Sequence, residues 1–134
     1  MEDCLFCKII KNQIPSYKIY ENEYAYAFLD ISEDIDGHTL VIPKKHCKNI
    51  LDCDSQTLSE VMKVVKKIAE HYTTNCGFDG VNIISNNEQC AEQSIFHFHV
   101  HILPRKNDDG EKVYPKLGGA KQTLKQMHQM LKMN

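Results

Sequence analysis

Three histidines at alternate positions, His97-Phe98-His99-Val100-His101, form the segment with the most chemistry in it. In a strand, side chains alternate between faces, so the three imidazoles share one face while Phe98, Val100 and Ile102 share the other. Alternate residues stand roughly 6.5–7 Å apart along a strand. Neighbouring imidazoles can therefore meet one ligand, such as a phosphate or a metal. Three readings fit the pattern. The histidines decorate the solvent face of an edge strand, or all three bind one catalytic metal as neutral imidazoles, or one attacks phosphorus while the others handle charge and protons.

A second group is Cys4-Leu5-Phe6-Cys7. CxxC spacing suits one half of a tetrahedral zinc site. A thioredoxin-like redox pair is the rival, but it expects a strand before the motif and a helix after it; two unrelated buried cysteines are the plainest alternative. Zinc at this pair needs two more ligands, and His46 and one strand histidine are the candidates. Cys47, Cys53, Cys76 and Cys90 are scattered and read as packing.

The elements that must position these groups are legible from pattern. Residues 4–10 suit a short helix or turn that stops before Pro15. Residues 17–21 and 24–29 read as strands around a turn at Glu21-Asn22-Glu23, and 38–42 as a strand after the Asp36-Gly37 turn, ended by Pro43. Over 55–75, Leu58, Val61, Met62, Val65, Ile68, Ala69 and Tyr72 recur at three- and four-residue steps, which predicts a one-faced helix. Asp54 or Ser55 can cap its start and Gly77 can close its end. Strands are expected over 81–85 and 95–103, joined by the polar loop 86–93. Ala120, Leu124, Met127 and Leu131 are spaced for a short helix in a basic tail. The sum is an α+β domain, a mostly antiparallel sheet with helices on one face.

Composition narrows the setting. A chain of 134 residues has room for one core. A net charge of −2 gives no electrostatic case for nucleic-acid binding. No apolar run approaches the ~18 residues of a membrane span, and the acidic start Met1-Glu2-Asp3 is unlike a secretory signal. A cytoplasmic protein is expected, with thiols rather than disulfides.

At His97-Phe98-His99-Val100-His101-Ile102-Leu103 the chain resembles the histidine triad (HIT) superfamily, in particular its bacterial Hint-like nucleotide-binding branch. CLFCKIIKNQIPSYKIYE, AFLDIS, GHTLVIPKKH and Gln93-Ser94 extend the likeness over about residues 3–105 of a single 1–134 domain, leaving 106–134 as an extension. The resemblance implies a HIT fold whose sheet continues across a homodimer. It also implies hydrolysis or transfer at the α-phosphate of purine nucleotide conjugates such as nucleoside phosphoramidates and acyl adenylates. His99 takes the nucleophile's place, His101 and Ser94 serve phosphate or leaving group, and His38 orders the triad. Asp30 maps to the ribose hydroxyls, Phe6, Phe28 and Ile31 to the base pocket, and Asn86 and Gln93 to the phosphate. A structural Zn²⁺ maps to Cys4, Cys7, His46 and His97. A nucleotide-binding regulatory module with residual catalysis and a dinucleoside polyphosphate hydrolase are the alternatives. Two departures stand out: Glu88 and Glu92 occupy loop positions where many relatives carry glycine, and the chain has no Trp.

Overall fold

The computed structural model describes residues 3–133. Met1, Glu2 and Asn134, the ends of the expected 1–134 span, lie outside the described residues. Helix α1 (Leu5–Ile10) is followed by strands β1 (Lys18–Glu21), β2 (Ala25–Leu29) and β3 (Thr39–Pro43). Helix α2 (Ser55–Asn75), strands β4 (Gly80–Ile84) and β5 (Val100–Arg105), and helix α3 (Leu124–Leu131) complete the chain. The strands form one sheet in the order β1-β2-β3-β5-β4. Every pairing is antiparallel.

β2 shows why both faces are covered. Ala25 and Ala27 point to α2, while Tyr26 and Phe28 point the other way. Small side chains on one face let the long helix approach the sheet; large ones on the other fill the space beneath α1. Val61, Val64, Val65, Ile68 and Tyr72 of α2 pack with Val41, Phe98, Val100 and Ile102. Phe6 and Ile9 of α1 pack with Tyr26, Phe28, Leu40 and Ile42. The expectation of helices on a single face thus holds for α2 but not for α1. A six-residue helix is too short to stand alone, and it rests on the aromatic face.

α2 matches its expected bounds, with Asp54 accepting from the Thr57 N–H at 2.8 Å as N-cap. Gly77, at φ +82, turns the chain out of the helix. Within α2, Val64 is buried, whereas Met62 is 40% exposed. α3 starts at a capping box formed by Thr123 and Gln126, and none of its residues is buried.

The strand expected over 95–103 is displaced to Val100–Arg105. Upstream of Val100 the chain leaves the ladder. The Phe98 N–H donates to the Cys47 carbonyl at 2.7 Å. The Pro43 carbonyl is taken by the His97 side chain rather than by a strand amide. Downstream, Pro104 is tolerated inside β5 because β3 has ended opposite it, at the Thr39–Ile102 pair. Gly37 is required by that packing: its φ is +80, and a Cβ there would lie 2.9 Å from Pro104 Cγ.

Candidate active site and metal centre

With Phe98, Val100 and Ile102 directed into the α2 core, the three histidines emerge on the α1 side. Their environments differ. His97 is fully buried, and its Nε2–H donates to the Pro43 carbonyl at 2.9 Å. A neutral ring bonded this way has a bare Nδ1. That Nδ1 lies 3.1 Å from Nδ1 of His46, 3.3 Å from Sγ of Cys4 and 3.5 Å from Sγ of Cys7. Cys7 Sγ is in turn 3.4 Å from His46 Nδ1.

These separations can be tested against an ion. Tetrahedral zinc with Zn–N near 2.05 Å and Zn–S near 2.3 Å requires N···N of about 3.3 Å and S···N of about 3.6 Å. The four donor atoms lie within 4.8 Å of one another, so small adjustments close the shell. The donor set fits a closed structural site, and the Pro43 carbonyl supplies the outer hydrogen bond that fixes a ligand imidazole. α1 contributes directly: the Cys7 N–H donates to Cys4 Sγ at 3.3 Å, which is also the helix N-cap. Without a cation, burial and then the neighbouring Cys4 thiol push the Cys7 thiol up to about 11.

His99 faces another partner. Its Nδ1–H donates to the His97 carbonyl at 2.7 Å, so its Nε2 carries the lone pair. Burial holds its pKa below the ordinary value, which keeps the ring neutral. Phe6 stands edge-on to it at 5.2 Å between centroids, and His101 lies at 5.0 Å. A neutral imidazole with one nitrogen tied to a carbonyl and the other free is arranged to act as a nucleophile.

His101 Nδ1 is 2.9 Å from Nε2 of His38, itself buried, and Nδ1 of His38 is 2.8 Å from Asp34 Oδ1. Burial, followed by the charges His99 and His38 can carry, pushes His101 down to about 4. Asp30 Oδ2 lies 3.6 Å from His38 Nε2, and Asp30 Oδ1 accepts from the Ser32 N–H at 2.9 Å. Three histidines on a single metal do not fit: His97 Nδ1 is turned to the cysteines and His99 Nδ1 is spent on a carbonyl.

An apolar pocket of about 260 Å³ is lined by Phe6, Phe28, Leu40 and Ile95, with Asp30 and Ile31 among its lining residues, and Phe6 separates it from His99. Phe6 and Phe28 are buried and 5.6 Å apart, edge to face, and Ile31 is 84% exposed at the mouth.

The loop of residues 85–94 divides the remaining expected residues. Ser94 is exposed and Asn86 half-buried. Gln93 is buried and fully engaged: Nε2 donates to the carbonyls of Lys48 and Ile95, and Oε1 accepts from the Glu88 N–H and from Asn49 Nδ2. It builds the loop instead of offering a free amide to a phosphate. Glu88 and Glu92 have φ of 81° and 71°, the left-handed conformation that favours glycine. The Glu88 carboxylate is held by Lys48 Nζ at 3.0 Å and Asn49 Nδ2 at 2.8 Å. That pairing offsets the repulsion expected of a carboxylate beside an anion site.

A HIT domain is matched over residues 11–108. The chain belongs to the HIT family. Among HIT relatives, the "Protein hit" of Bacillus subtilis is 46% identical over 104 residues, covering 78% of this chain and 72% of that one. An adenosine 5'-monophosphoramidase of Saccharomyces cerevisiae is 39% identical over 105 residues, covering 78% of this chain and 64% of that protein. A zinc-bound histidine triad family protein of Mycobacterium smegmatis superposes with a TM-score of 0.78 at 37% identity, covering 81% of this chain and 79% of that chain. The matched HIT domain includes the segment 97–101 whose three imidazoles were singled out by spacing.

Sequence reasoning missed Asn49, the buried amide that ties Gln93 to Glu88. It also missed Leu40 and Ile95 in the pocket, and Asp34. Leu40 carried a usable signal, since it sits two residues from His38 in the expected strand 38–42 and so shares its face. Asp34 carried none: it is one of several acids in an irregular loop.

Proposed function

We propose that this chain hydrolyses purine nucleotide conjugates, nucleoside phosphoramidates and acyl adenylates among them, at the α-phosphate through a nucleotidyl-His99 intermediate. The observation that carries this reading is the neutral, buried His99 with Nδ1–H on the His97 carbonyl and Nε2 left for another partner, in contact with Phe6 of the apolar pocket. The base packs in the pocket walled by Phe6 and Phe28, with Ile31 at the mouth, and Asp30 accepts the ribose hydroxyls. Nε2 of His99 attacks the α-phosphorus and the bond to the amine or carboxylate breaks. His101 gives a leaving amine its proton, with Ser94 and Asn86 on the phosphate. Water then attacks the same phosphorus, the P–N bond to His99 breaks, and the nucleoside monophosphate leaves. Two displacements replace one harder one. The activity named for the yeast relative supports the substrate class.

Zn²⁺ on Cys4, Cys7, His46 and His97 supplies structural cross-linking only, joining α1 to the segment that leads into β5 and carries His99. The zinc-bound mycobacterial neighbour and the donor geometry support it. The outer edge of β4 has no strand partner among the described residues, and Ile83 there is 42% exposed. We place a second copy on this edge, continuing the sheet across a homodimer. No helix among the described residues is long and apolar enough to cross a membrane. Six free thiols suit a reducing compartment such as the cytoplasm.

The test is turnover of adenosine 5'-phosphoramidate by the parent and by His99→Ala, with mass spectrometry of the parent during turnover. The expected results are a nucleotidyl adduct on His99 and loss of activity in the variant. Equal turnover by both would remove His99 as nucleophile, and binding without turnover by either would leave a nucleotide-binding module.

A further inference from the structure

The hydrogen-bonded line that ends on His101 begins at a residue with no role so far. Asp34, on the loop between β2 and β3, sets Oδ1 2.8 Å from His38 Nδ1. An ionised carboxylate can only accept, so His38 Nδ1–H donates to it. Burial opposes the Asp34 charge, the hydrogen bond with His38 favours it, and its pKa is lowered. In the Nδ1–H tautomer of His38, Nε2 is bare and faces His101 Nδ1 2.9 Å away, so that His101 donates Nδ1–H to it. The line fixes both tautomers and leaves His101 Nε2 as the nitrogen that takes or gives a proton.

The groups facing His101 are His38, His99, Asp30 and Asp34. Burial and the two histidines disfavour its charged form, while the two carboxylates favour it. Asp30 lies in the lining of the apolar pocket and goes to the ribose in the proposed function. Asp34 is then the carboxylate left to support an imidazolium at His101, acting through His38.

We propose that Asp34 is a positioning residue that makes His101 competent as the acid for amine leaving groups, and so biases this chain toward phosphoramidates over conjugates whose leaving group departs as a stable anion. The inference rests on the nucleotidyl-His99 reading. In the step concerned, the His99 Nε2–P bond forms and the P–N bond to the amine breaks. The electron pair goes to the amine nitrogen, which takes the proton from His101 Nε2. In the second step water loses a proton to His101 Nε2 as its oxygen bonds to phosphorus and the pair returns to His99. A carboxylate leaving group needs no proton in the first step.

The effect is bounded by exposure. The Asp34 side chain is 56% exposed, so solvent screens it. General acids contribute about 10²–10⁴-fold, and the indirect, screened share is set at about tenfold. The experiment compares the full chain with Asp34→Ala and Asp34→Asn on adenosine 5'-phosphoramidate and on acetyl adenylate. Asp34→Ala is expected to lower kcat on the phosphoramidate by about tenfold, with KM little changed, and to leave acetyl adenylate within about twofold. Asp34→Asn keeps an acceptor oxygen without the charge and should fall between. Equal losses on both substrates, or none on either, would overturn the proposal. Nitrogen-15 NMR of the imidazoles supplies a second readout that needs no turnover. The parent is expected to show Nδ1–H tautomers at His38 and His101, and Asp34→Ala to shift them. Unchanged tautomers would overturn the role of Asp34, whereas an inactive parent with shifted tautomers would overturn the nucleotidyl-His99 reading and keep the Asp34 line.

Discussion

Stripping the metal centre is expected to loosen the fold before it touches the chemistry. α1 has only six residues, and an isolated helix of that length is unstable in water. Two of its attachments are Phe6 and Ile9 in the aromatic cluster, and the proposed ion on Cys4 and Cys7 would be the third. An ion that binds only the folded state stabilises it by about 2.7 kcal/mol when free zinc is about 100 times Kd. For 134 residues the unfolding entropy is about 0.28 kcal/mol per kelvin. The ratio is a fall in Tm of about 10 °C. Differential scanning calorimetry with and without a strong chelator measures it, with metal content checked in both samples. A Cys4→Ser, Cys7→Ser double variant should melt at the chelated value and ignore the chelator. Phe6 stands 5.2 Å from His99 and lines the pocket, so KM for the nucleotide should rise more than kcat falls. A Tm that does not move when the zinc is demonstrably gone would refute the structural assignment. So would abolition of the chemical step in a protein that remains folded with its pocket intact.

Other perturbations have defined signs. Gly37→Ala should cost about 1–3 kcal/mol in urea denaturation, since the residue has φ +80 and its new Cβ would meet Pro104 Cγ at 2.9 Å; a neutral result would mean the turn can relax. Glu92→Gly should stabilise by up to about 1 kcal/mol, because Glu92 holds φ 71 in the left-handed region; destabilisation would show that its side chain contributes a contact worth more than the strain. In chelated protein, stability should fall as pH drops from 6.5 toward 4. His97 and His101 are pushed by burial to about 4, against 6.5 in an unfolded chain. Between those values the unfolded state binds more protons, so the contribution is full above 6.5 and lost on the way down, with a slope of at most about 1.4 kcal/mol per pH unit per histidine. A flat urea midpoint across that window would show that the rings are solvated.

Periodicity exposed most of the frame. The α2 helix and the alternation of His97, His99 and His101 against Phe98, Val100 and Ile102 follow from local pattern. What pattern could not supply is where a strand stops pairing. The ladder ends at Val100 because the Cys47 carbonyl captures the Phe98 amide, a contact between residues 51 positions apart. The same limit hid the far side of the sheet. Alternation in β2 shows two faces, but only tertiary packing assigns Ala25 and Ala27 to α2 and Tyr26 and Phe28 to α1. Within the site, the family resemblance singled out Cys4, Cys7, His46 and His97, which the structure brings together, and carbonyl acceptors set which nitrogen of His97 and of His99 donates. Gln93 was legible as a site residue but not as a scaffold, because its amide is consumed by backbone groups from Lys48, Glu88 and Ile95.

Three identical side chains at alternate positions, only His101 of them inside β5, acquire different chemistry from their acceptors. His97 gives its Nε2 proton to Pro43 and turns Nδ1 to the thiols. His99 gives its Nδ1 proton to the carbonyl of His97 and frees Nε2. His101 gives its Nδ1 proton to His38, which is held by Asp34. Two of those acceptors are main-chain carbonyls that substitution cannot remove. The third is a side-chain line ending at an exposed carboxylate. On the proposed roles, variation among such sites is cheapest at the His101 end, where one loop residue would alter proton delivery without disturbing the proposed nucleophile or metal ligands. Leaving-group preference should drift there first, and the reactive nitrogen of His99 last.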